Sequence, residues 1–159
     1  MQRKLTAILS ADIVGYSRLM ELDEAETLNH LKSVRRELVD PCVSSHHGRI
    51  VKLMGDGVLV EFASIVDAVG CAIEIQRGMR ESAPQVSGDQ RMSFRIGVNL
   101  GDIIADDDDI YGEGVNVAAR LQSTVSCRPL LSLHQSAVRL VFPLRPGAPC
   151  RHEPASRGS

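Results

Sequence analysis

The stretch from Arg49 to Phe62 constrains the fold of this chain more than any other part of the sequence. Two apolar runs flank Gly55-Asp56-Gly57, and Lys52 lies inside the first run. Asp-Gly between such runs favours a tight β-hairpin, because glycine accepts the positive φ angle that the turn requires and aspartate tolerates it. Turn chemistry alone explains Asp56 as a turn-forming residue. A second carboxylate, Asp12, ends an earlier strand-like run. The other interpretation is that Asp12 and Asp56 belong to one shared site.

Length and composition limit the classes of protein to consider. The 159 residues suit a single domain with a real core. The formal net charge of −2 gives no reason to expect a polyanionic partner, and the absence of Trp removes the stacking platforms of single-strand binders, so we expect no nucleic-acid partner. No run approaches membrane-spanning length, and we expect no membrane association. The four scattered cysteines match neither a zinc site nor a disulfide framework, which predicts reduced thiols in a cytoplasmic protein.

The first third of the chain predicts a strand followed by a helix. Residues 5–12 form a short apolar run that ends on Asp12, typical of a buried strand. Residues 13–18 fit either an ordinary strand-to-helix turn or a loop whose N–H groups hold phosphate. Asp23 followed by Glu26 resembles a helix N-cap with a carboxylate at N3, and apolar residues continue on one helical face to position 38. Pro41 predicts a break, because the residue before a proline is disfavoured in the α region.

The remainder alternates strands and helices. Residues 64–81 have a helical pattern, residues 82–90 predict a loop, and residues 93–99 and 101–105 predict two strands joined by a tight connection. The acidic run 106–109 fits a solvated turn or a loose calcium-like cluster. Asn116 and Arg120 lie four apart on one face of a further helix, where such pairs contact either solvent or a ligand.

This order of elements favours an α+β fold, with a ferredoxin-like, antiparallel-rich sheet and helices packed on one face. The order does not build a doubly wound parallel sheet. In the ferredoxin-like arrangement Asp12 and Asp56 meet at one edge of the sheet. Paired carboxylates in water-rich surroundings favour Mg²⁺ or Mn²⁺.

Four motifs occur in order along the chain: Ala11-Asp12-Ile13-Val14-Gly15-Tyr16-Ser17, Lys52-Leu53-Met54-Gly55-Asp56-Gly57, Phe94-Arg95-Ile96-Gly97-Val98-Asn99-Leu100-Gly101 and Asp109-Ile110-Tyr111-Gly112-Glu113-Gly114-Val115-Asn116-Val117-Ala118-Ala119-Arg120. Together they resemble the catalytic domain of the class III nucleotidyl cyclases, specifically the soluble bacterial adenylate cyclases. The resemblance covers about residues 4–122, so we assign 1–122 to that domain and 123–159 to a divergent tail.

The resemblance implies a reaction and a metal site. Members of the family convert ATP to cyclic AMP and pyrophosphate, as dimers whose active sites lie between the subunits. By similarity, Asp12 and Asp56 bind two Mg²⁺ or Mn²⁺ ions with help from the backbone carbonyl of Ile13. One ion activates the ribose 3′-hydroxyl that attacks the α-phosphate, and the other neutralises the leaving pyrophosphate. The segment Gly15, Tyr16 and Ser17 corresponds to the part of the family motif that contacts substrate.

The resemblance also implies how the nucleotide is bound. Lys52 and Asp109 occupy the family's two base-recognising positions, and a cation with a carboxylate matches the N1 acceptor and amino donor of adenine. Guanine presents the reverse pattern and would leave both groups mismatched. Asn116 resembles the ribose-orienting residue and Arg120 the cation that stabilises charge developing on the phosphates. These four residues come from the opposite subunit to the metal aspartates in the family, so we expect a homodimer or pairing with a related cyclase domain.

The resemblance stops after Gln122. The family continues with a lysine that contacts the triphosphate, but Lys52 is the last lysine of this chain. Arg128, Arg139 or Arg145 would replace that lysine only by accident. The tail composition suggests low-complexity coil or a frameshifted end, although residues 130–141 fit a strand or a short helix. Two hypotheses follow: an adenylate cyclase, weakened by the missing lysine, or a noncatalytic cyclase-like domain that binds nucleotide or pairs with a full-length homologue.

Overall fold

The computed structural model describes residues 2–82, 92–106, 109–123, 132–134 and 137–140. The described strands are β1 (Gln2–Ile13), β2 (Arg49–Met54), β3 (Gly57–Phe62), β4 (Phe94–Asp106), β5 (Asp109–Tyr111), β6 (Ser132–His134) and β7 (Ala137–Leu140). The described helices are α1 (Tyr16–Leu22), α2 (Glu24–Val34), α3 (Asp40–Ser45), α4 (Ile65–Ser82) and α5 (Glu113–Ser123). The predicted loop at 82–90 lies almost entirely outside the described residues.

The described strands form one antiparallel sheet. Their order is β2-β3-β1-β4-β7-β6, and β5 pairs with β4 beside this path. The longest pairing joins β1 to β4, from Gln2 opposite Ala105 to Ile13 opposite Phe94. The predicted α+β class with an antiparallel, ferredoxin-like sheet is therefore confirmed. Strands β6 and β7 lie within residues 130–141, so the strand alternative for that segment is correct.

The predicted hairpin is present at the edge of the sheet. Met54 of β2 pairs with Gly57 of β3, which leaves Gly55 and Asp56 as a two-residue turn. Gly55 has a φ of 58°, in the left-handed region that glycine reaches without a steric penalty. The turn thus places the Asp56 carboxylate at the tip of the hairpin, next to the end of β1.

Side chains alternate across the sheet and form two apolar layers. On one face Leu9, Val60 and Val98 are fully buried in the main core, to which α1 to α4 contribute. On the other face Ile8, Leu59 and Ile103 form a smaller cluster with apolar residues of α5. The prediction that the helices pack on one face is therefore wrong for α5. Periodicity shows that a helix has an apolar side but not which face of the sheet that side covers.

One long strand replaces the two short strands predicted for residues 93–105. Strand β4 runs without interruption from Phe94 to Asp106 and pairs with β1 along its whole length. Gly101 therefore marks no turn. A Cβ atom at this position would lie 3.1 Å from the Cα of Gly114, so the two glycines let α5 approach the strand closely. Close packing, rather than a reversal of the chain, explains the glycine.

The helical region before the hairpin begins as predicted and deviates near Pro41. The backbone N–H of Glu26 donates to Asp23 Oδ1 at 2.9 Å, which confirms the N-cap of α2. Asp40 has φ −61° and ψ −44°, so the prediction that it leaves the α region is wrong. The irregularity is instead a π-helical turn, Arg35–Val39, between α2 and α3. Pro41 lies in the first turn of α3, where the backbone needs no N–H donor.

Ion pairs around the buried Glu61 link three strands. Glu61 is 6% exposed and pairs with Lys4 at 2.5 Å and with Arg49 at 2.9 Å. Burial raises the pKa of Glu61, but the hydrogen bonds and charges of Lys4 and Arg49 outweigh it and hold the pKa below its ordinary value. The carboxylate therefore stays ionised and links β1, β2 and β3.

Two of the four cysteines lie within the described residues. Cys42 and Cys71 are buried free thiols, as predicted. Burial raises the pKa of Cys42 to about 11 and that of Cys71 to about 12, so both are protonated at neutral pH. Cys127 and Cys150 lie outside the described residues. Across the part of the chain that the structure describes, the helices are too short or too polar to cross a membrane.

Candidate active site

The ends of β1 and of the hairpin bring two carboxylates together. Asp12 is the penultimate residue of β1, and Asp56 lies in the turn between β2 and β3. Asp56 Oδ2 accepts a hydrogen bond from the backbone N–H of Ile13 at 3.0 Å. The turn is thereby held against the residue that follows Asp12. The hairpin sequence and the length of β1 together create this juxtaposition.

Arg95 of β4 pairs with Asp12 and lies near enough to Asp56 to be affected by its charge. It lies directly opposite Asp12 in the register of β1 and β4. Its Nε donates to Asp12 Oδ1 at 2.8 Å and its Nη2 donates to Asp12 Oδ2 at 2.6 Å, a bidentate pair. The hydrogen bonds to Asp12 and the negative charges of Asp12 and Asp56 raise the pKa of Arg95, although partial burial opposes them. The guanidinium therefore lies in the field of both carboxylates.

The donor set fits a hard divalent cation. Asp12 and Asp56 place carboxylate oxygens at one edge of the sheet, next to the backbone of Ile13. Among the described residues, no group of three or more His, Cys, Asp or Glu side chains could hold a metal. Mg²⁺ and Mn²⁺ suit a small set of oxygens, because Mg²⁺ keeps several waters and is completed by substrate phosphates. The two carboxylates are thus compatible with the predicted Mg²⁺ or Mn²⁺.

A second group of polar residues joins β2 to β5. Lys52 Nζ donates to Asp109 Oδ2 at 3.3 Å, although 57 positions separate the two residues in the sequence. The Tyr111 hydroxyl donates to the same oxygen at 3.0 Å, and the Ile110 N–H donates to Asp109 Oδ1 at 2.9 Å. Both carboxylate oxygens of Asp109 are therefore oriented by neighbours. This arrangement leaves a cation and a carboxylate side by side on the partly exposed surface.

The charges in this second group reinforce one another. The Ile110 N–H, the Tyr111 hydroxyl and then Lys52 lower the pKa of Asp109, so the carboxylate is ionised at neutral pH. The hydrogen bond to Asp109 and its negative charge raise the pKa of Tyr111, which keeps the hydroxyl protonated and able to donate. Asp109 thus carries a stable negative charge next to the positive charge of Lys52.

The segment after β1 forms a tight turn into α1. Gly15 has a φ of 64°, and it precedes Tyr16, the first residue of the helix. The Tyr16 side chain is partly buried against the main core, while Ser17 is exposed. Gly15 and Ser17 are therefore exposed where the chain enters α1.

Asn116 and Arg120 lie one turn apart on α5. Both are exposed, whereas Ala118 is buried between them and packs in the cluster on the second face of the sheet. The predicted helix and the shared face of the two polar residues are confirmed.

Two polar residues of these groups were not selected as site residues from the sequence. Arg95 belongs to a predicted strand, but its contact with Asp12 depends on the register between strands 83 positions apart. Tyr111 follows Asp109 by two positions, and side chains at that spacing share a face of a strand. This spacing would identify Tyr111 as a neighbour of Asp109 only if the segment were known to be a strand. Strand β5 is three residues long, too short for an alternating pattern to predict a strand there.

Comparisons with known proteins agree on one family. Residues 2–138 match the model of the adenylate and guanylate cyclase catalytic domain. A Rhizobium meliloti protein named "Putative adenylate cyclase 3" is 50% identical over 123 residues, and an adenylate cyclase of Streptomyces coelicolor is 33% identical over 118 residues. The matches cover 77% and 74% of this chain but only 21% and 29% of those proteins. The chain thus spans less than a third of the length of either relative.

A solved structure with high sequence identity shows the same fold. The crystal structure of an adenylate/guanylate cyclase/hydrolase from Silicibacter pomeroyi superposes with a TM-score of 0.74 at 47% identity. The match covers 79% of this chain and 73% of that chain. The name of that protein covers both adenylate and guanylate cyclases.

Proposed function

Because the chain belongs to the adenylate and guanylate cyclase catalytic domain family, we propose that it is an adenylate cyclase that converts ATP to 3′,5′-cyclic AMP and pyrophosphate. The observation that carries the choice of ATP is the Lys52–Asp109 pair, with its Nζ to Oδ2 distance of 3.3 Å. Adenine offers an acceptor at N1 and a donor at its amino group, which match a cation and a carboxylate. Guanine reverses both groups and would leave the pair mismatched.

The proposed reaction assigns a task to each group of residues. Asp12, Asp56 and the carbonyl of Ile13 would hold two divalent ions, Mg²⁺ or Mn²⁺. When bound, such ions make the ribose 3′-hydroxyl a better nucleophile and neutralise charge on the leaving pyrophosphate. The N–H groups of Gly15, Tyr16 and Ser17 would bind phosphate oxygens.

The exposed residues of α5 suit a site shared between two subunits. Asn116 would orient the ribose, and Arg120 would stabilise the negative charge that develops on the phosphates during attack. Both residues are exposed, so a second subunit could bring its own pair to the proposed metal-binding edge of its partner. We therefore propose a homodimer or a pair with a related cyclase domain, located in the cytoplasm.

A second candidate function rests on one sequence observation. Within the 159 residues no lysine follows Lys52, whereas the family resemblance implies a triphosphate-binding lysine after residue 122. A noncatalytic domain that binds nucleotide or pairs with a full-length homologue would need only the fold and the base-recognising pair. The boundary between a catalytic domain at 1–122 and a tail at 123–159 stays a prediction.

Product formation separates the two candidates. The purified chain is incubated with Mn²⁺ and either ATP or GTP, and cyclic nucleotides are quantified by chromatography. We expect cyclic AMP in excess of cyclic GMP, loss of product in Asp56→Ala, and retention in Asp67→Asn, a change of a partly exposed α4 carboxylate outside the site. A folded dimer that forms no cyclic AMP would refute the cyclase proposal and favour the binding role.

A further inference from the structure

The contact between Arg95 and Asp12 occupies the metal-binding edge in this structure. One guanidinium engages both carboxylate oxygens of Asp12, at 2.8 and 2.6 Å. The two residues are direct cross-strand partners, so the backbone positions of β1 and β4 bring the guanidinium group next to the carboxylate. Arg95 also lies in the field of Asp56. In this structure Arg95 therefore engages the Asp12 oxygens, and neutralises the Asp12 charge, that a divalent ion would use.

Holding the strands together does not require this ion pair. Strand β1 is hydrogen-bonded to β4 from Gln2 to Ile13 and to β3 from Ala7 to Ala11. The Arg95 side chain is 31% exposed and that of Asp12 is 19% exposed. The flexible Arg95 side chain can therefore rotate its guanidinium group into solvent while Asp12 keeps its position.

We propose that Arg95 is an internal counter-ion of the Asp12–Asp56 pair and competes with the divalent ion for Asp12. This inference rests on the proposed metal role of the two aspartates. Without a cation, two neighbouring carboxylates repel each other, and Arg95 neutralises that repulsion. A divalent ion approaching oxygens at 2.0–2.1 Å meets the positive charge of the guanidinium. Metal entry therefore requires the guanidinium to leave Asp12, which lowers the affinity of the free protein for metal.

Metal affinity measured without nucleotide tests the competition. Free Mn²⁺ is quantified by electron paramagnetic resonance in titrations of the wild-type chain, Arg95→Gln and Arg36→Gln. Arg36 is the matched control, since it pairs with Glu37 at 2.9 Å on the exposed surface. We expect Arg95→Gln to bind Mn²⁺ about tenfold more tightly than wild type, about 1.4 kcal/mol, and Arg36→Gln to match wild type. Equal or weaker binding by Arg95→Gln would overturn the proposal.

A thermal measurement gives an independent readout. Without Arg95 the two carboxylates lack their counter-ion, so saturating Mn²⁺ should raise the Tm of Arg95→Gln by more than that of wild type. Arg95→Lys keeps the charge but loses the bidentate fork, and its affinity for Mn²⁺ should lie between those of wild type and Arg95→Gln. If Arg95→Gln does not fold, Arg95→Lys decides: affinity no higher than wild type refutes the proposal.

These experiments distinguish this inference from the proposed activity. Tighter Mn²⁺ binding in Arg95→Gln that is lost when Asp12→Asn is added supports the competition even if no cyclic nucleotide forms, in which case only the cyclase proposal fails. Cyclic AMP production with unchanged Mn²⁺ affinity in Arg95→Gln refutes the competition alone. If neither wild type nor Arg95→Gln binds Mn²⁺, the metal site and the competition both fail.

Discussion

Asp56 has two separable tasks, and two substitutions distinguish them. Its Oδ2 accepts the Ile13 N–H at 3.0 Å, which fastens the hairpin turn to the end of β1. Its negative charge is the proposed contribution to the metal site. Asp56→Asn keeps a carbonyl oxygen that can accept the same hydrogen bond but removes the charge. Asp56→Ala removes both.

The magnitudes follow from the hydrogen bond. A hydrogen bond to a charged group contributes about 1.5–3 kcal/mol, and this one is only partly buried, so we expect Asp56→Ala to lose about 1.5 kcal/mol of unfolding free energy. Asp56→Asn keeps a neutral hydrogen bond and should lose about 0.5 kcal/mol. For a chain of this size, 1.5 kcal/mol lowers Tm by about 3–6 °C. Both variants should lose cyclic AMP formation by about 100-fold or more, because both lack the charge.

Urea unfolding at pH 7 measures the stability of each variant, and product formation with Mn²⁺ measures its activity. Asp67→Asn and Asp67→Ala are matched controls, since Asp67 carries the same charge on α4 and its nearest ion-pair distance is 3.8 Å, to His47. Equal stability of Asp56→Asn and Asp56→Ala would show that the contact with Ile13 adds nothing. An active Asp56→Asn would show that the reaction does not need the charge.

Three further predictions test the proposed base-recognising group, the ion pairs of Glu61 and the packing of the core. Tyr111→Phe removes the 3.0 Å hydrogen bond to Asp109, so KM for ATP should rise about threefold or more with little change in kcat; unchanged KM contradicts this. Because folding lowers the pKa of Glu61, its carboxylate stabilises the folded chain at pH values above 4.5, its ordinary pKa, and this stability is lost as the pH falls through the lowered pKa. Glu61→Gln should therefore reduce the loss of unfolding free energy at acid pH, measured by urea unfolding. Gly48→Ala places a Cβ 2.5 Å from the Phe62 ring and should lower the unfolding free energy by about 1–3 kcal/mol; a neutral result in urea would show that the ring moves freely.

Local chemistry determined the parts of the fold that were predicted correctly. The hairpin turn follows from Gly55, whose φ of 58° a residue with a Cβ adopts only with strain. The start of α2 follows from Asp23, which caps an N–H three residues away. The apolar alternation and periodicity of the strands and of α4 need only neighbouring residues to be recognised.

Contacts between distant residues decided the rest. The sequence around Gly101 predicts a turn, but Gly101 lies inside one long strand that pairs with β1, and its lack of a side chain lets Gly114 approach closely. The same long strand sets the register that places Arg95 opposite Asp12. A sequence shows which residues can pair but not the register in which strands meet, because a shift of one residue turns every side chain to the other face.

For the candidate site as well, the sequence identifies the residues and the tertiary structure sets the distances between them. The motifs alone identified Asp12, Asp56, Lys52 and Asp109 by their resemblance to a family. Only the folded chain shows that Lys52 lies 3.3 Å from Asp109 and that Arg95 already engages Asp12. Residue types are a property of the sequence, whereas their distances depend on the packing of the sheet and α5 around them. The chemistry available was therefore determined by the sequence, and the tertiary structure decided which charges neutralise one another.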